Sequence, residues 1–341
     1  MDDRKATMND VAKYCGLSIA TVSRIINNAD YPVSEEARQK VQKAVEALHY
    51  NPNMLGRYLK FNQSDEVGII IPRISNYYYT EMVAGINDSL VHSGYNVLLC
   101  DSYRNPEYEK KQVQYLLQKK VKGIVISSIS TDTAWIQEMV PDTVALVAIE
   151  QSLDRKTHYV GMNSEKSGRM AVRYLYEKGH RRIAFASPPL TNLRYSQRLD
   201  GFVQQVKDYG LPFNPGYFRV ADSDREKENV YEFNIGKRIA NNIAKMEEPP
   251  TAVVCASDML AVGVIRGLHE QGCRVPQDMA VMGFDNLVIS DMIGPSLTTI
   301  DQGLREIGAK AIEILLADMK NHGTSPVTWI SEPQLVERES A

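Results

Sequence analysis

The sequence has no apolar run close to the roughly 18 residues that a membrane-spanning helix needs. Its N-terminus is charged and lacks the apolar stretch of about 7 to 15 residues that is typical of a secretory signal. Cysteine is scarce: the four residues are scattered, without a CxxC pair or histidines at metal-ligand spacing. We therefore expect a cytoplasmic protein that spans no membrane and has neither a zinc site nor a disulfide framework.

Common enzyme motifs are also missing. The sequence contains no GxGxxG or GxxxxGKS/T phosphate loop, no GxSxG nucleophile turn and no HExxH zinc motif. These absences disfavour an enzyme, and we expect no cofactor and no metal. What is present is 341 residues, 43% hydrophobic and 24% charged, which is typical of a soluble protein of two or three domains.

The charge is distributed unevenly along the chain. The net charge is −3, but residues 1–60 carry nine Lys and Arg against seven Asp and Glu, whereas the other 281 residues carry thirty against thirty-five. The N-terminal part therefore has the sign that a DNA-binding module needs, despite the acidic total.

Residues 7–50 contain three short amphipathic segments and no strand pattern. Thr7 and Asp10 form a potential capping box for a first helix over 8–15. Gly16 can end that helix in the left-handed conformation, and Ser18 can cap the next one. The short turn between them is typical of a helix-turn-helix.

The second and third helices complete this helical unit. Val22, Ile25 and Ile26 are predicted to face inward, and Ser34 is predicted to open the third helix. The outward face of the second helix then carries Ile19, Ala20, Thr21, Ser23, Arg24 and Asn27.

From Val67 onward, short β-rich runs alternate with helical stretches, which indicates parallel sheets built from βαβ units. The predicted strands are 67–72, 95–100, 123–128, 144–149, 183–187, 252–256 and 279–283. Because the runs that start at 67 and 182 begin similar series, we expect two similar α/β lobes with a cleft between them.

Several segments resemble one family. DVAKYCGLSIATVSRIINN (10–28), VSEEARQKV (33–41) and LHYNPN (48–53) closely resemble the headpiece of the lactose-repressor (LacI/GalR) family of bacterial transcriptional regulators. The segments EKGHRRIA (177–184), ASDMLAVG (256–263), GFDN (283–286) and PSLTTI (295–300) resemble family segments too. The resemblance implies an all-α helix-turn-helix headpiece followed by an α/β core of two Rossmann-like lobes, similar to periplasmic binding proteins.

The resemblance also implies domain boundaries. The headpiece covers 1–60, with a hinge helix at 53–59. The N-terminal lobe of the effector-binding core is predicted to comprise 66–163 and 293–325, and the C-terminal lobe 164–292 and 326–341.

The DNA contacts are predicted from helix-turn-helix geometry together with the resemblance. Ile19, Ala20 and Arg24 would meet base edges in the major groove, with Arg24 suited to a guanine. Leu59 matches the hinge leucine that enters the minor groove in relatives, and Gly56 departs from the usual alanine and would weaken hinge folding. Phosphates would be held by Thr7, Ser18, Thr21, Ser23 and Asn27. Ordinary surface or capping roles, and interdomain packing for Leu59, are the alternatives.

The effector site is expected where the strands end in the cleft. Tyr79, beside Tyr78, matches the position that would stack on a sugar ring, and its alternative role is packing between the lobes. Arg198 and Asp285 match family positions that form hydrogen bonds with polar groups of the ligand, and their alternative role is a structural salt bridge. Weaker candidates are Asn192, Arg194, Glu150, Asn163, Ser257 and Asp258, of which Asp258 has helix capping as its alternative.

These expectations combine into one function. We predict a bacterial cytoplasmic repressor, associated with the nucleoid when DNA-bound, that binds a pseudo-palindromic operator as a homodimer and answers to a small sugar-like effector. A dimer is favoured over a tetramer because the last residues, ERESA, form no heptad extension. The alternatives are a catabolite-control-type regulator that answers to a protein co-regulator, and a nucleoside- or purine-responsive repressor. A pure solute-binding protein would not need the headpiece.

Overall fold

The protein is described by a computed structural model covering residues 6–26, 32–50, 64–91, 93–130, 132–154, 156–212, 214–221, 230–321 and 323–341. The chain divides into two compact units, Met1–Gln63 and Ser64–Ala341. Asn27, Gly56, Leu59 and the hinge helix predicted at 53–59 lie outside the described residues. No helix of the described ranges is long and apolar enough to cross a membrane.

The first unit contains three helices in its described residues: α1 (Met8–Cys15), α2 (Ile19–Ile26) and α3 (Glu35–Ala47). The Thr7 capping box is present, and Gly16 takes the predicted left-handed conformation at φ 66°. Ser34 accepts a hydrogen bond from the Ala37 amide at 3.2 Å and so opens α3 as predicted. The small core between the helices includes Val11, Val22, Ile25, Val41, Ala44 and Tyr50.

The described residues of the second unit form two six-stranded sheets. The first sheet is parallel, in the order β11-β5-β4-β3-β1-β2. Its strands are β1 (Glu66–Ile71), β2 (Asn96–Asp101), β3 (Gly123–Ile126), β4 (Ala145–Ile149), β5 (His158–Met162) and β11 (Thr328–Ser331). Its helices are α4 (Tyr77–Leu90), α5 (Pro106–Gln118), α6 (Ala134–Met139) and α12 (Leu304–Asn321). Together they form the first lobe.

The second sheet has the order β12-β10-β9-β8-β6-β7, and only β12 runs antiparallel to its neighbour. Its strands are β6 (Ile183–Ser187), β7 (Phe218–Val220), β8 (Ala252–Cys255), β9 (Ala280–Phe284), β10 (Thr298–Asp301) and β12 (Gln334–Val336). Its helices are α7 (Ser164–Glu177), α8 (Leu193–Asp208), α9 (Tyr231–Ile243), α10 (Asp258–Glu270) and α11 (Ile289–Met292). Together they form the second lobe.

Strand pairing corrects the predicted lobe boundaries near the C-terminus. The prediction placed 293–325 in the first lobe, yet β10 pairs with β9 in the second sheet. It placed 326–341 in the second lobe, yet β11 pairs with β5 in the first sheet. Of the elements within 293–341, α12 packs on α4 in the first lobe and β12 pairs in the second sheet, as predicted. The chain therefore passes from one lobe to the other three times.

Pairs of glycines bring helices into close contact. A Cβ atom on Gly168 of α7 would lie 2.1 Å from the carbonyl oxygen of Arg198, and one on Gly201 of α8 would lie 1.9 Å from that of Glu165. The same reciprocal arrangement joins α4 to α12 and α9 to α10, through Gly85 with Gly308 and Gly236 with Gly263. No side chain fits between these backbones. Gly168 and Gly201 therefore fix how closely α8, which carries cleft residues, packs against α7.

Candidate DNA-binding surface and effector site

Helix α2 presents the predicted face away from the core of its unit. Val22 is fully buried and Ile25 is 8% exposed, whereas Ile19 is 49% exposed and Ala20 and Arg24 are also exposed. An exposed apolar residue at the start of a short helix, followed one turn later by an arginine, provides both a methyl contact and a bidentate donor for base edges. The base contacts themselves stay a prediction.

The hydroxyl groups predicted to hold phosphates already have local partners. The Thr7 hydroxyl donates to Asp10 Oδ2 at 2.6 Å, within the capping box of α1. Ser18 Oγ accepts from the Thr21 amide at 3.1 Å and lies 2.9 Å from Thr21 Oγ1. Ser18 therefore caps α2 as predicted. The capping bonds hold these side chains at the helix N-termini, where amide dipoles favour phosphate.

A cavity of about 220 Å³ lies between the lobes of the second unit. Its first-lobe wall follows the carboxyl ends of β1, β3 and β4, and its second-lobe wall is the start of α8. The lining comprises Pro72, Tyr79, Arg104, Pro106, Ser127, Ser128, Ile129, Glu150, Gln151, Thr191, Asn192 and Leu193. This is the place where open parallel sheets hold ligands.

Tyr79 is the aromatic residue of this cavity. Its side chain is fully buried from solvent, and its hydroxyl lies near Ser127 without reaching hydrogen-bond geometry to any atom of the described chain. Burial and the neighbouring Glu150 raise the pKa of Tyr79 well above its usual value, so the hydroxyl stays protonated and can donate to a ligand. Tyr78 packs edge-on against Tyr79 at 5.0 Å, its hydroxyl donates to Met162, and it is not among the residues that line the cavity.

Arg194 crosses the cleft from α8. Its guanidinium lies 3.7 Å from the centre of the Tyr78 ring and donates to Glu150 Oε1 at 3.3 Å. The two charged side chains are 4% and 9% exposed, and Glu150 also accepts from the Ser127 hydroxyl. We call this Arg194–Glu150 contact the interlobe ion pair, because it joins the second lobe to the first.

Glu232, at the start of α9, extends this network and was not predicted. It accepts from the Tyr195 hydroxyl at 2.9 Å, from the Ser257 hydroxyl, and from Asn76 Nδ2 of the first lobe at 3.5 Å. No sequence motif marks it. Arg104, Ser127, Ser128, Gln151 and Thr191 were also missed, although most lie at or just after the carboxyl ends of predicted strands, a signal that could have identified them.

Arg198 and Asp285 bind each other rather than the cavity. Arg198 donates to Asp285 Oδ1 at 2.7 Å and to the Ala256 carbonyl at 2.5 Å, and the two side chains are 0% and 1% exposed. Burial raises the pKa of Asp285, and Arg198 opposes that shift. The pair has the geometry of the structural salt bridge that was its alternative, and a ligand contact stays a prediction.

The remaining candidates mostly organise loops. Asn163 and Asn192 cap α7 and α8, and Ser257 caps α10, so the predicted capping role for Asp258 belongs to its neighbour. Asp258 instead accepts hydrogen bonds at 2.6–2.8 Å from the Leu287 amide and from the Ser290 and Thr299 hydroxyls. Burial, with the nearby Asp285, raises the pKa of Asp258 to about 7. Of these four residues only Asn192 lines the cavity.

A helix-turn-helix unit joined to a two-lobed α/β unit with an interlobe cavity defines a ligand-responsive DNA-binding regulator. Residues 7–53 match the family described as "Bacterial regulatory proteins, lacI family", and residues 172–341 match a "Periplasmic binding protein-like domain". The chain belongs to the LacI/GalR family of transcriptional regulators, and the predicted family and fold class are confirmed.

The relatives match over nearly the whole chain. The HTH-type transcriptional repressor PurR of Vibrio atlanticus (strain LGP32) is 32% identical over 341 residues, covering 98% of both chains. The ribose operon repressor of Escherichia coli (strain K12) is 33% identical over 338 residues, covering 98% of this chain and all of its own. A structure of the Lac repressor dimer bound to operator and the anti-inducer ONPF has a TM-score of 0.85 at 27% identity, covering 99% of each chain.

Proposed function

We propose that this protein is a cytoplasmic repressor that binds a pseudo-palindromic operator as a homodimer and is controlled by a small, hydroxyl-rich ligand bound between the lobes. It acts by binding and not by catalysis. The observation that carries the proposal is the interlobe cavity, where the buried Tyr79 hydroxyl has no partner in the described chain, in a protein that also has a helix-turn-helix. A buried donor without a partner is costly unless a ligand or water satisfies it.

The lining of the cavity supports a sugar-like ligand. Ser127, Ser128 and Thr191 offer hydroxyl groups, and Gln151 and Asn192 offer amides, so donors and acceptors surround a single aromatic ring. At about 220 Å³ the cavity is below the roughly 300–1,000 Å³ of pockets for drug-sized ligands, which favours a ligand with one ring. A purine or nucleoside is the second candidate, because the Tyr79 ring that lines the cavity can also pack against a flat base.

The DNA-binding part can be tested without knowing the operator. Full-length protein is used to select duplexes from a random library, and we expect enrichment of a pseudo-palindromic site. Arg24→Gln should weaken binding to that site about tenfold or more and relax the preference at one base pair of each half-site, because a bidentate contact is lost. Arg266→Gln, on the exposed side of α10, is the matched control and should leave binding unchanged.

Three results would contradict this part of the proposal. Selection could enrich no sequence, Arg24→Gln could leave the base preference unchanged, or light scattering at micromolar concentration could show a stable monomer or tetramer. Ligand control is tested separately, by adding sugars and nucleosides to the complex with the selected duplex. A ligand that raises the melting temperature and also shifts DNA affinity supports control through the core, because these two effects are thermodynamically linked.

A further inference from the structure

We infer that Glu109, a buried residue that is not among those lining the cavity, makes the Ser128 hydroxyl accept and not donate hydrogen bonds there, so that the ligand must present a hydrogen-bond donor to it. This inference rests on the proposed function, namely that the interlobe cavity binds the effector. It adds a positioning residue to the site and states which kind of group on the ligand faces the end of β3.

Glu109 holds the loop that follows β3. It lies in the first turn of α5 and is fully buried. Its Oε1 accepts from the Ser128 hydroxyl at 2.7 Å and from the Ser130 hydroxyl at 3.0 Å, and its Oε2 accepts from the Ile129 amide at 2.9 Å. One carboxylate therefore binds three successive residues, and two of them, Ser128 and Ile129, line the cavity.

The direction of each of these hydrogen bonds follows from the groups involved. Burial raises the pKa of Glu109, and the three hydrogen bonds oppose that shift because they favour the ionised carboxylate. An ionised carboxylate only accepts, so Ser128 gives its one hydroxyl proton to Glu109. The Ser128 oxygen also accepts from the Ser130 amide at 3.1 Å. Ser128 is then left with one lone pair for a ligand and no proton.

Ser127 has the same polarity for a separate reason. Its hydroxyl donates to Glu150, whose carboxylate also accepts from Arg194 in the interlobe ion pair. Ser127 and Ser128 are adjacent in the chain and both line the cavity, as does Glu150. The wall at the carboxyl ends of β3 and β4 therefore offers three neighbouring side chains that accept hydrogen bonds and have no proton to give.

The cavity also has donors, which a ligand hydroxyl can satisfy through its oxygen. The Tyr79 hydroxyl stays protonated, and Asn192 uses its Oδ1 to cap α8, so that its Nδ2 can donate. A hydroxyl or amine that donates to Ser128 satisfies the wall. A carbonyl or carboxylate oxygen at the same place would face the serine oxygen with no proton between them, which is costly in a buried site.

The substitution Glu109→Gln is expected to reverse the polarity of Ser128. The Ile129 amide needs an oxygen acceptor, so the nitrogen of the new side chain takes the place of Oε1 and donates to the two serine hydroxyls. The Ser128 oxygen then accepts from that nitrogen and from the Ser130 amide, and its own proton is released for a ligand. Size and shape change little.

The experiment measures calorimetric binding of neutral five- and six-carbon sugars to full-length protein. The tightest binder is the parent, and its monodeoxy and monofluoro analogues are then compared position by position. A C–F group can accept a hydrogen bond but cannot donate one, whereas the deoxy position does neither. Ser128→Ala identifies the ligand hydroxyl that faces Ser128, since removing that hydroxyl then no longer costs affinity. At this position we expect both analogues to bind wild-type protein about tenfold more weakly than the parent.

Variants test the role of Glu109. In Glu109→Gln the fluoro analogue at that position should bind more tightly than the deoxy analogue, by about threefold or more. Ser130→Ala is the matched control, because it removes a hydroxyl from the same carboxylate but leaves the bond from Ser128, and it should keep the wild-type order.

Two results overturn the inference and leave the proposed function intact. The fluoro analogue could bind wild-type protein as tightly as the parent, a comparison that needs no variant at 109 and decides the polarity even if Glu109→Gln does not fold. Alternatively, Glu109→Gln could weaken all analogues by the same factor, as a purely structural role would. Binding by none of the sugars contradicts the sugar-like ligand of the proposed function, and this inference falls with it.

Discussion

Replacing one member of the interlobe ion pair should destabilise the core strongly. Removing one partner of a buried pair leaves the other charge unpaired and typically costs about 3–5 kcal/mol. Since Arg194 and Glu150 are 4% and 9% exposed and their donor and acceptor are 3.3 Å apart, we expect the lower half of that range for Glu150→Gln. Arg194→Met should cost more, because it also removes the cation–π contact with Tyr78, worth up to about 2 kcal/mol when desolvated.

Combining Glu150→Gln with Arg194→Met separates the energy of the ion pair from the energy of the other contacts that each side chain makes. With both charges gone no buried charge is left unpaired, so we expect the double change to cost about 2 kcal/mol less than the two single changes combined. Urea unfolding is followed by tryptophan fluorescence at fixed protein concentration, since a dimer's stability depends on it. Trp135 on α6 and Trp329 on β11 both report on the first lobe.

An exposed ion pair serves as the control. Arg274 and Asp278 lie four residues apart with side chains 71% and 39% exposed, and such surface pairs couple by about 0–1 kcal/mol. If the Arg194–Glu150 coupling is no larger than that of the control pair, the two side chains do not form a buried ion pair in solution. A charged link between the lobes would then be refuted.

Three further predictions concern stability. Gly168→Ala places a Cβ 2.1 Å from the Arg198 carbonyl oxygen and should cost about 1–3 kcal/mol by overpacking, whereas Gly294→Ala, with open space around it, should change the melting temperature little. Asp258 has a raised pKa, so its carboxyl stabilises the fold fully below about pH 4, and this contribution is lost as the pH rises through about 7. Asp258→Asn should therefore flatten the fall in the free energy of unfolding between about pH 4 and 7, and an unchanged slope would contradict the assignment. Ser34→Ala removes the cap of α3 and should cost the first unit about 1 kcal/mol in calorimetry, and no change would argue against the capping bond.

Sequence reasoning predicted the helical unit closely because its determinants are local. The capping box at Thr7, the left-handed Gly16 and the cap at Ser18 depend on residues within four positions of one another. The apolar spacing that identified Val22 and Ile25 is equally local.

The sheets were predicted less completely because strand pairing is not local. β5, β7, β10, β11 and β12 were not among the predicted strands, and they have only three to five residues each. Nothing within β10 or β11 indicates its sheet, since membership depends on a partner elsewhere in the chain. The cleft was also predicted only in part. Tyr79 was identified from its motif, but the contact of Arg194 with Glu150 could not be predicted, because it forms only when the fold brings the two lobes together.

Strand β11 belongs to the first sheet although it follows the second lobe in the chain, and this order affects folding during synthesis. Thr328 of β11 pairs with Tyr159 of β5, so roughly 170 residues, including nearly all of the second lobe, are made between the two partners. At about 5–20 residues per second this takes roughly 10 to 30 seconds, during which the edge of β5 has no neighbour on that side. The first sheet therefore cannot be completed until nearly the whole chain has been made, and one edge of β5 stays open throughout that interval.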